Sequence, residues 1–172
     1  MRLLVIAFAA ATIAPVPMLP KAPDFCRGCV VARTASGTGR IRSARVLAES
    51  AYGRPPWRMG TGISASFHVE LTTDAGTFVV KNVSGTDGVR EYFSQVGTPE
   101  TLAIRSDRLV ATFVETYAGG NGASRVPVVV MCAPARSGPP TCFVVRNATV
   151  LPNGDIEEID GNARRAFTPV FP

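Results

Sequence analysis

Lysine, histidine and tryptophan are nearly missing from this chain: two lysines, one histidine and one tryptophan in 172 residues. With a single histidine, any Ser–His or Cys–His catalysis has to run through His68. Charged residues make up only 18%, too few for a disordered or coiled-coil chain. No apolar run reaches the ~20 residues a helix needs to cross a bilayer. A Gly-x-Ser-x-Gly elbow is lacking, and His68-x-Glu70 is not followed by Pro-Cys-x-x-Cys. Those gaps remove the signatures of serine esterases and zinc deaminases. There is no internal repeat and no second domain's worth of chain.

What is present is apolar (46%) and rich in turn formers, 16 Gly and 14 Pro, as suits many short strands. Met1-Arg2 precedes the uncharged stretch Leu3 to Ala14, and Ala9-Ala10-Ala11 supplies the small residues a signal peptidase needs. The expectation is a signal peptide and Pro-rich spacer over 1–23, then one exported β-domain over 24–172, periplasmic or extracellular, with no transmembrane helix in the mature chain.

Export favours disulfides among Cys26, Cys29, Cys132 and Cys142. The simplest pairing is Cys26–Cys29 with Cys132–Cys142, the second tying the mouth of a hairpin and worth about 2.5–3 kcal/mol. A redox reading of Cys26-Arg27-Gly28-Cys29 lacks the strand-to-helix context of thioredoxin-like motifs. A four-cysteine zinc site suffers from the wide spacing of Cys132 and Cys142. Neither a metal nor a cofactor is expected.

Residues 63–73 alternate strictly: Ile63, Ala65, Phe67, Val69 and Leu71 on one face, Ser64, Ser66, His68, Glu70 and Thr72 on the other. That is a half-buried strand with one wet face, and Thr77 to Val83 closes a hairpin with it. Ile41–Tyr52, Glu100–Arg105, Leu109–Tyr117, Val126–Cys132, Cys142–Leu151 and Ile156–Ile159 also read as strands. Ala118–Ser124 reads as a flexible loop, Asn153-Gly154 as a turn, and Arg164–Pro172 as a tail. Val89, Tyr92, Phe93 and Val96 recur at helical spacing, predicting one short helix over about 88–96. The expected fold is mostly β: an antiparallel β-sandwich or barrel of seven or eight short strands with one short helix.

Three groups invite a functional reading. His68 lies between Ser66 and Glu70 on the wet face, but same-face neighbours on one strand are ~7 Å apart; the expectation is a solvated, non-catalytic histidine. The acidic run Asp155 to Asp160 does not fit an EF-hand loop and reads as a charged edge hairpin. Between Arg27 and Arg58, seven arginines face one carboxylate, Glu49, with Tyr52 and Trp57 among them. Arg40, Arg42, Arg45, Arg54, Trp57 and Arg58 therefore form the candidate binding set, since guanidinium forks suit phosphate and carboxylate. The partner would be an anionic envelope component or another exported protein; nucleic acid is not expected outside the cell. The leading functional expectation is a non-catalytic binding module. The alternatives are a hydrolase-type enzyme with a site around His68 and Glu70, and a structural or inhibitory envelope protein acting through an edge or loop.

Overall fold

The structure, a computed structural model, describes residues 13–50, 65–85, 94–119, 122–136 and 138–172. Among them every regular element is a strand. In chain order these are β1 (Val16–Pro17), β2 (Leu19–Pro20), β3 (Val30–Ser36), β4 (Ile41–Ser50), β5 (Ala65–Thr73), β6 (Gly76–Gly85), β7 (Ser94–Arg105), β8 (Arg108–Gly119), β9 (Gly122–Ala133), β10 (Thr141–Arg146), β11 (Ala148–Val150), β12 (Ile156–Asp160) and β13 (Ala163–Phe167).

They form three antiparallel sheets. The first has the order β1-β10-β9-β8-β7, the second β2-β6-β5-β4-β3, and the third β11-β12-β13. The alternation of β5 sends Phe67, Val69 and Leu71 into a core shared with Val46, Leu109, Phe113, Val128 and Val130, all fully buried. This core fills the space between the first two sheets, with Phe67 and Phe113 at 5.8 Å between ring centroids. Each such side chain contributes about 1.5–3 kcal/mol of burial.

The first sheet is covered on both faces. Val129, Met131, Phe143 and Val145 point away from the main core and pack against Ala148 and Ile156 of the third sheet, with Phe167 and Phe171 around them. That explains the unbroken apolar run of β9, which a one-sided strand would not need. Pro127 lies one residue outside the part of β9 that pairs with β10, where a missing N–H breaks no bond on that side.

Both lateral openings of the sandwich are closed. Residues 16–20 pair first with β10 (Val16 opposite Cys142) and then with β6 (Leu19 opposite Val79). Met18, between the two short strands, sits in the core at 1% exposure. At the opposite side β3 meets β7, where Arg33 Nε donates to the Pro99 carbonyl at 3.0 Å. Asp107, in the β7–β8 turn, accepts the Arg40 N–H at 2.6 Å and so ties that turn to the β3–β4 connection. Ser106 and Asp107 both have positive φ (45° and 58°), the geometry of a tight two-residue hairpin turn.

Several expectations change here. The helix over about 88–96 is not seen where it can be checked: Ser94 to Val96 begin β7 and pair with β8, and residues 86–93 lie outside the described residues. Of the four residues at helical spacing only Val96 is described, and there cross-strand pairing with Thr116 prevails. Thirteen strands stand among the described residues, more than seven or eight: three are two- or three-residue segments (β1, β2 and β11), and β3 (Val30–Ser36) and β13 (Ala163–Phe167) form where the sequence shows no strand signal. Residues 16–20, placed in the spacer by their prolines, are paired edge strands. Ala118, Gly119 and Gly122 to Ser124 belong to strands, so the Ala118–Ser124 loop shrinks to a hairpin tip whose residues 120–121 lie outside the description. The single strand expected over Cys142–Leu151 breaks at Asn147, whose φ of +54° lets the chain leave the first sheet for the third. Ala163–Phe167 of the expected tail forms β13.

Candidate functional site

Segment 21–29 crosses the outer face of the second sheet and covers the residues expected to be wet. His68 and Glu70 are each 2% exposed. This corrects the reading of His68 as solvated: the β5 alternation is right, but its polar face is roofed by chain that the sequence treats as linker.

His68 is held at both nitrogens. Opposite it β6 bulges, with Phe67 facing Ser84 but Val69 facing Val80. Asn82, in that bulge with φ +53°, donates its N–H to His68 Nδ1 at 3.0 Å. A backbone N–H only donates, so Nδ1 is the unprotonated nitrogen and Nε2–H donates to Glu49 Oε2 at 2.9 Å. Burial pushes the His68 pKa below its usual value; the hydrogen bond and negative charge of Glu49 oppose this, and the positive charge of Lys81 reinforces it. Phe25 packs edge-on against the imidazole, centroids 5.2 Å apart, and the Lys81 ammonium lies 4.9 Å from the Phe25 centroid.

Glu70 takes no part in this contact. Lys21 Nζ reaches its Oε2 at 2.5 Å and Arg45 Nη2 its Oε1 at 2.5 Å. The expected association of His68 with Glu70 is therefore replaced by His68 with Glu49, the lone carboxylate of the arginine-rich stretch. Its signal is the β4–β5 register, in which Leu47 faces His68 and Glu49 faces Ser66, making Glu49 a diagonal neighbour within side-chain reach.

Cys26 and Cys29 are disulfide-bonded, half-buried beside the histidine. Their sulfurs and a His68 ring nitrogen all lie within 4.8 Å of one another. The set has the donor types of a soft-metal site. Here, however, the sulfurs are bonded to each other and neither ring nitrogen has a free lone pair. Cys132 and Cys142 face each other directly across β9 and β10 and are linked, Cα atoms 4.0 Å apart and fully buried. A four-cysteine zinc site is thus ruled out by the pairing, and the expected hairpin disulfide is present.

The candidate arginines do not converge as free cations. Arg40 pairs with Asp107 at 3.4 Å, Arg42 with Asp74 at 2.7 Å, and Arg45 with Glu70. Arg54, Trp57 and Arg58 lie outside the described residues. The acidic run is not an edge either: β12 is the middle strand of its sheet, and Arg164 meets Glu157 at 2.9 Å. Comparison with protein-family models, with curated proteins and with solved structures finds no match.

Proposed function

We propose that this chain is an exported β-sandwich, periplasmic or extracellular, that serves as a non-catalytic binding module for another exported protein or an anionic envelope component. The observation that carries this reading is the state of His68. Both of its nitrogens are engaged by Asn82 and Glu49, so the one imidazole has no lone pair to offer as a general base. That weighs against the hydrolase alternative around His68 and Glu70, whose carboxylate is itself held by Lys21 and Arg45. The two disulfides support an oxidising compartment. Of the two partner classes, a protein is favoured, because the described arginines of the candidate patch already have carboxylate partners.

The test is fractionation of the native host, with intact-mass analysis of the exported chain and binding to anionic lipid vesicles across a salt series. Recovery outside the cytoplasm without the apolar leader, together with weak and salt-insensitive vesicle binding, is the expected result. A cytoplasmic chain with Met1 intact overturns the export reading. Steeply salt-dependent vesicle binding replaces the protein partner by an anionic surface.

A further inference from the structure

We propose that Cys26–Cys29 is an exchange-active disulfide that takes two electrons from a dithiol, while Cys132–Cys142 stays fixed. This goes beyond the binding reading and rests on separate observations.

The two bonds differ in access. Cys132 and Cys142 are fully buried in the inter-sheet core, where an attacking thiolate has no path. Cys26 and Cys29 are half-buried on the outer surface, and Gly28 between them has open space around its Cα. Exchange is an in-line attack of thiolate on sulfur, so access decides which bond reacts.

The two bonds also differ in what they hold. Cys26–Cys29 spans a sequence separation of 3 and joins nothing that other contacts do not already place. On one side Lys21 is fixed by its ion pair with Glu70 and by its N–H to the Thr77 carbonyl at 2.9 Å. On the other, Val30 is paired with Ala48. Opening this bond leaves the sandwich intact. Cys26 moreover has φ +59°, a left-handed conformation unfavourable for an L-residue other than Gly, Asn or Asp. Such a backbone at a sulfur gains freedom when the link opens.

The loop that carries the two sulfurs also holds a cationic residue, Arg27. The His68 imidazole lies against the pair, its neutral tautomer fixed by Asn82 and Glu49. Arg27 lies inside the four-residue loop and Lys81 stands over Phe25. A cationic residue inside the loop favours a thiolate there, the leaving group of the first step.

The step balances as follows. One thiolate of the dithiol attacks Cys26 Sγ; the Cys26–Cys29 bond breaks, a mixed disulfide forms at Cys26, and Cys29 leaves as thiolate. The second thiol of the dithiol, deprotonated, attacks its own sulfur in the mixed disulfide and releases Cys26. The products are two cysteine thiols on this chain and one disulfide on the donor, with two electrons and two protons transferred.

The experiment uses the oxidised, folded full chain equilibrated with dithiothreitol over a range of reduced-to-oxidised ratios, then acid-quenched, alkylated and peptide-mapped, with circular dichroism in parallel. Expected is reduction of Cys26–Cys29 at ratios that leave at least nine-tenths of Cys132–Cys142 linked, an unchanged spectrum, and full reversal on adding oxidised dithiothreitol. In addition, Cys29→Ser mixed with glutathione disulfide should form a one-to-one adduct at Cys26. Reduction of both bonds together, only as the spectrum collapses, overturns the proposal. So does a folded Cys29→Ser chain that iodoacetamide alkylates at Cys26 but glutathione disulfide does not modify. Stoichiometric zinc retained by the reduced wild type, and lost in His68→Gln, replaces exchange by metal binding at the same residues. Each of these outcomes is independent of where the chain is located or what it binds.

Discussion

Glu49 fixes the tautomer of His68 from the neighbouring strand, its Oε2 2.9 Å from Nε2 while the Asn82 N–H occupies Nδ1. A strand histidine that should have been wet is thereby made a structural part of the roof over the second sheet.

Removing that imidazole is expected to cost far more than a surface change. His68→Ala leaves the Asn82 N–H without its acceptor and opens space under Phe25, a loss of about 1–3 kcal/mol in denaturant melts. A change within ~0.5 kcal/mol, as for surface positions, would show that the burial of His68 does not matter to stability.

Stability should also depend on pH through this residue. The folded-state pKa of His68 is pushed down by burial, so between its folded value and the ordinary ~6.5 of the unfolded chain the unfolded state binds more protons. The contribution is complete above pH ~6.5 and is lost as pH falls through the folded value. Melting temperature measured from pH 7.5 down to 5 should fall in the wild type and be flatter in His68→Gln. Parallel curves for the two proteins would refute the assignment.

The buried disulfide carries the larger covalent share of stability. Cys132→Ala with Cys142→Ala should lower unfolding free energy by about 3 kcal/mol in the chain-entropy picture, read from guanidinium melts under oxidising conditions. Cys26→Ser with Cys29→Ser, which frees only a three-residue separation, should lower it by less. The reverse order would mean that the surface bond, not the core bond, holds the sandwich.

Asp107 offers a test of the seam between the two sheets. Its carboxylate accepts the Arg40 N–H at 2.6 Å and lies 3.4 Å from Arg40 Nε, and a Cβ on Gly39 would collide with it. Asp107→Ala is expected to cost about 1–2 kcal/mol, and Gly39→Ala a similar amount by displacing the same carboxylate. If Gly39→Ala has no effect in the wild type, the close approach is not maintained in solution.

Much of the architecture was legible in the residues because its period is local. Phe67, Val69 and Leu71 announce their inward face, and Ser106-Asp107, Asp74-Ala75 and Asn153-Gly154 announce turns. The Cys132–Cys142 bond follows from two strands joined by a short loop. The roof over His68 was not legible, since it depends on where residues 21–29 land, and their Pro-rich approach carries no strand signal. The same holds for β1 and β2, two residues each, whose pairing is decided by partners more than fifty positions away. The candidate arginines were visible as charge, but their carboxylate partners are distant in sequence, Glu70 on β5 and Asp74 and Asp107 in the turns after β5 and β7, so only the folded arrangement reveals that Arg40, Arg42 and Arg45 are neutralised.

The short stretch that seals one side of the sandwich also sets an order of assembly. Val16 pairs with Cys142 and Leu19 with Val79, contacts between the beginning of the domain and strands made much later. Closing loops of that span costs entropy before any contact repays it. The hairpins β5–β6, β7–β8 and β9–β10 need no such closure. The N-terminal seam therefore forms after those hairpins, and a nascent chain cannot complete it before residue 142 has emerged. Until then Met18 has no core to enter, and the growing chain stays loose at its leading end.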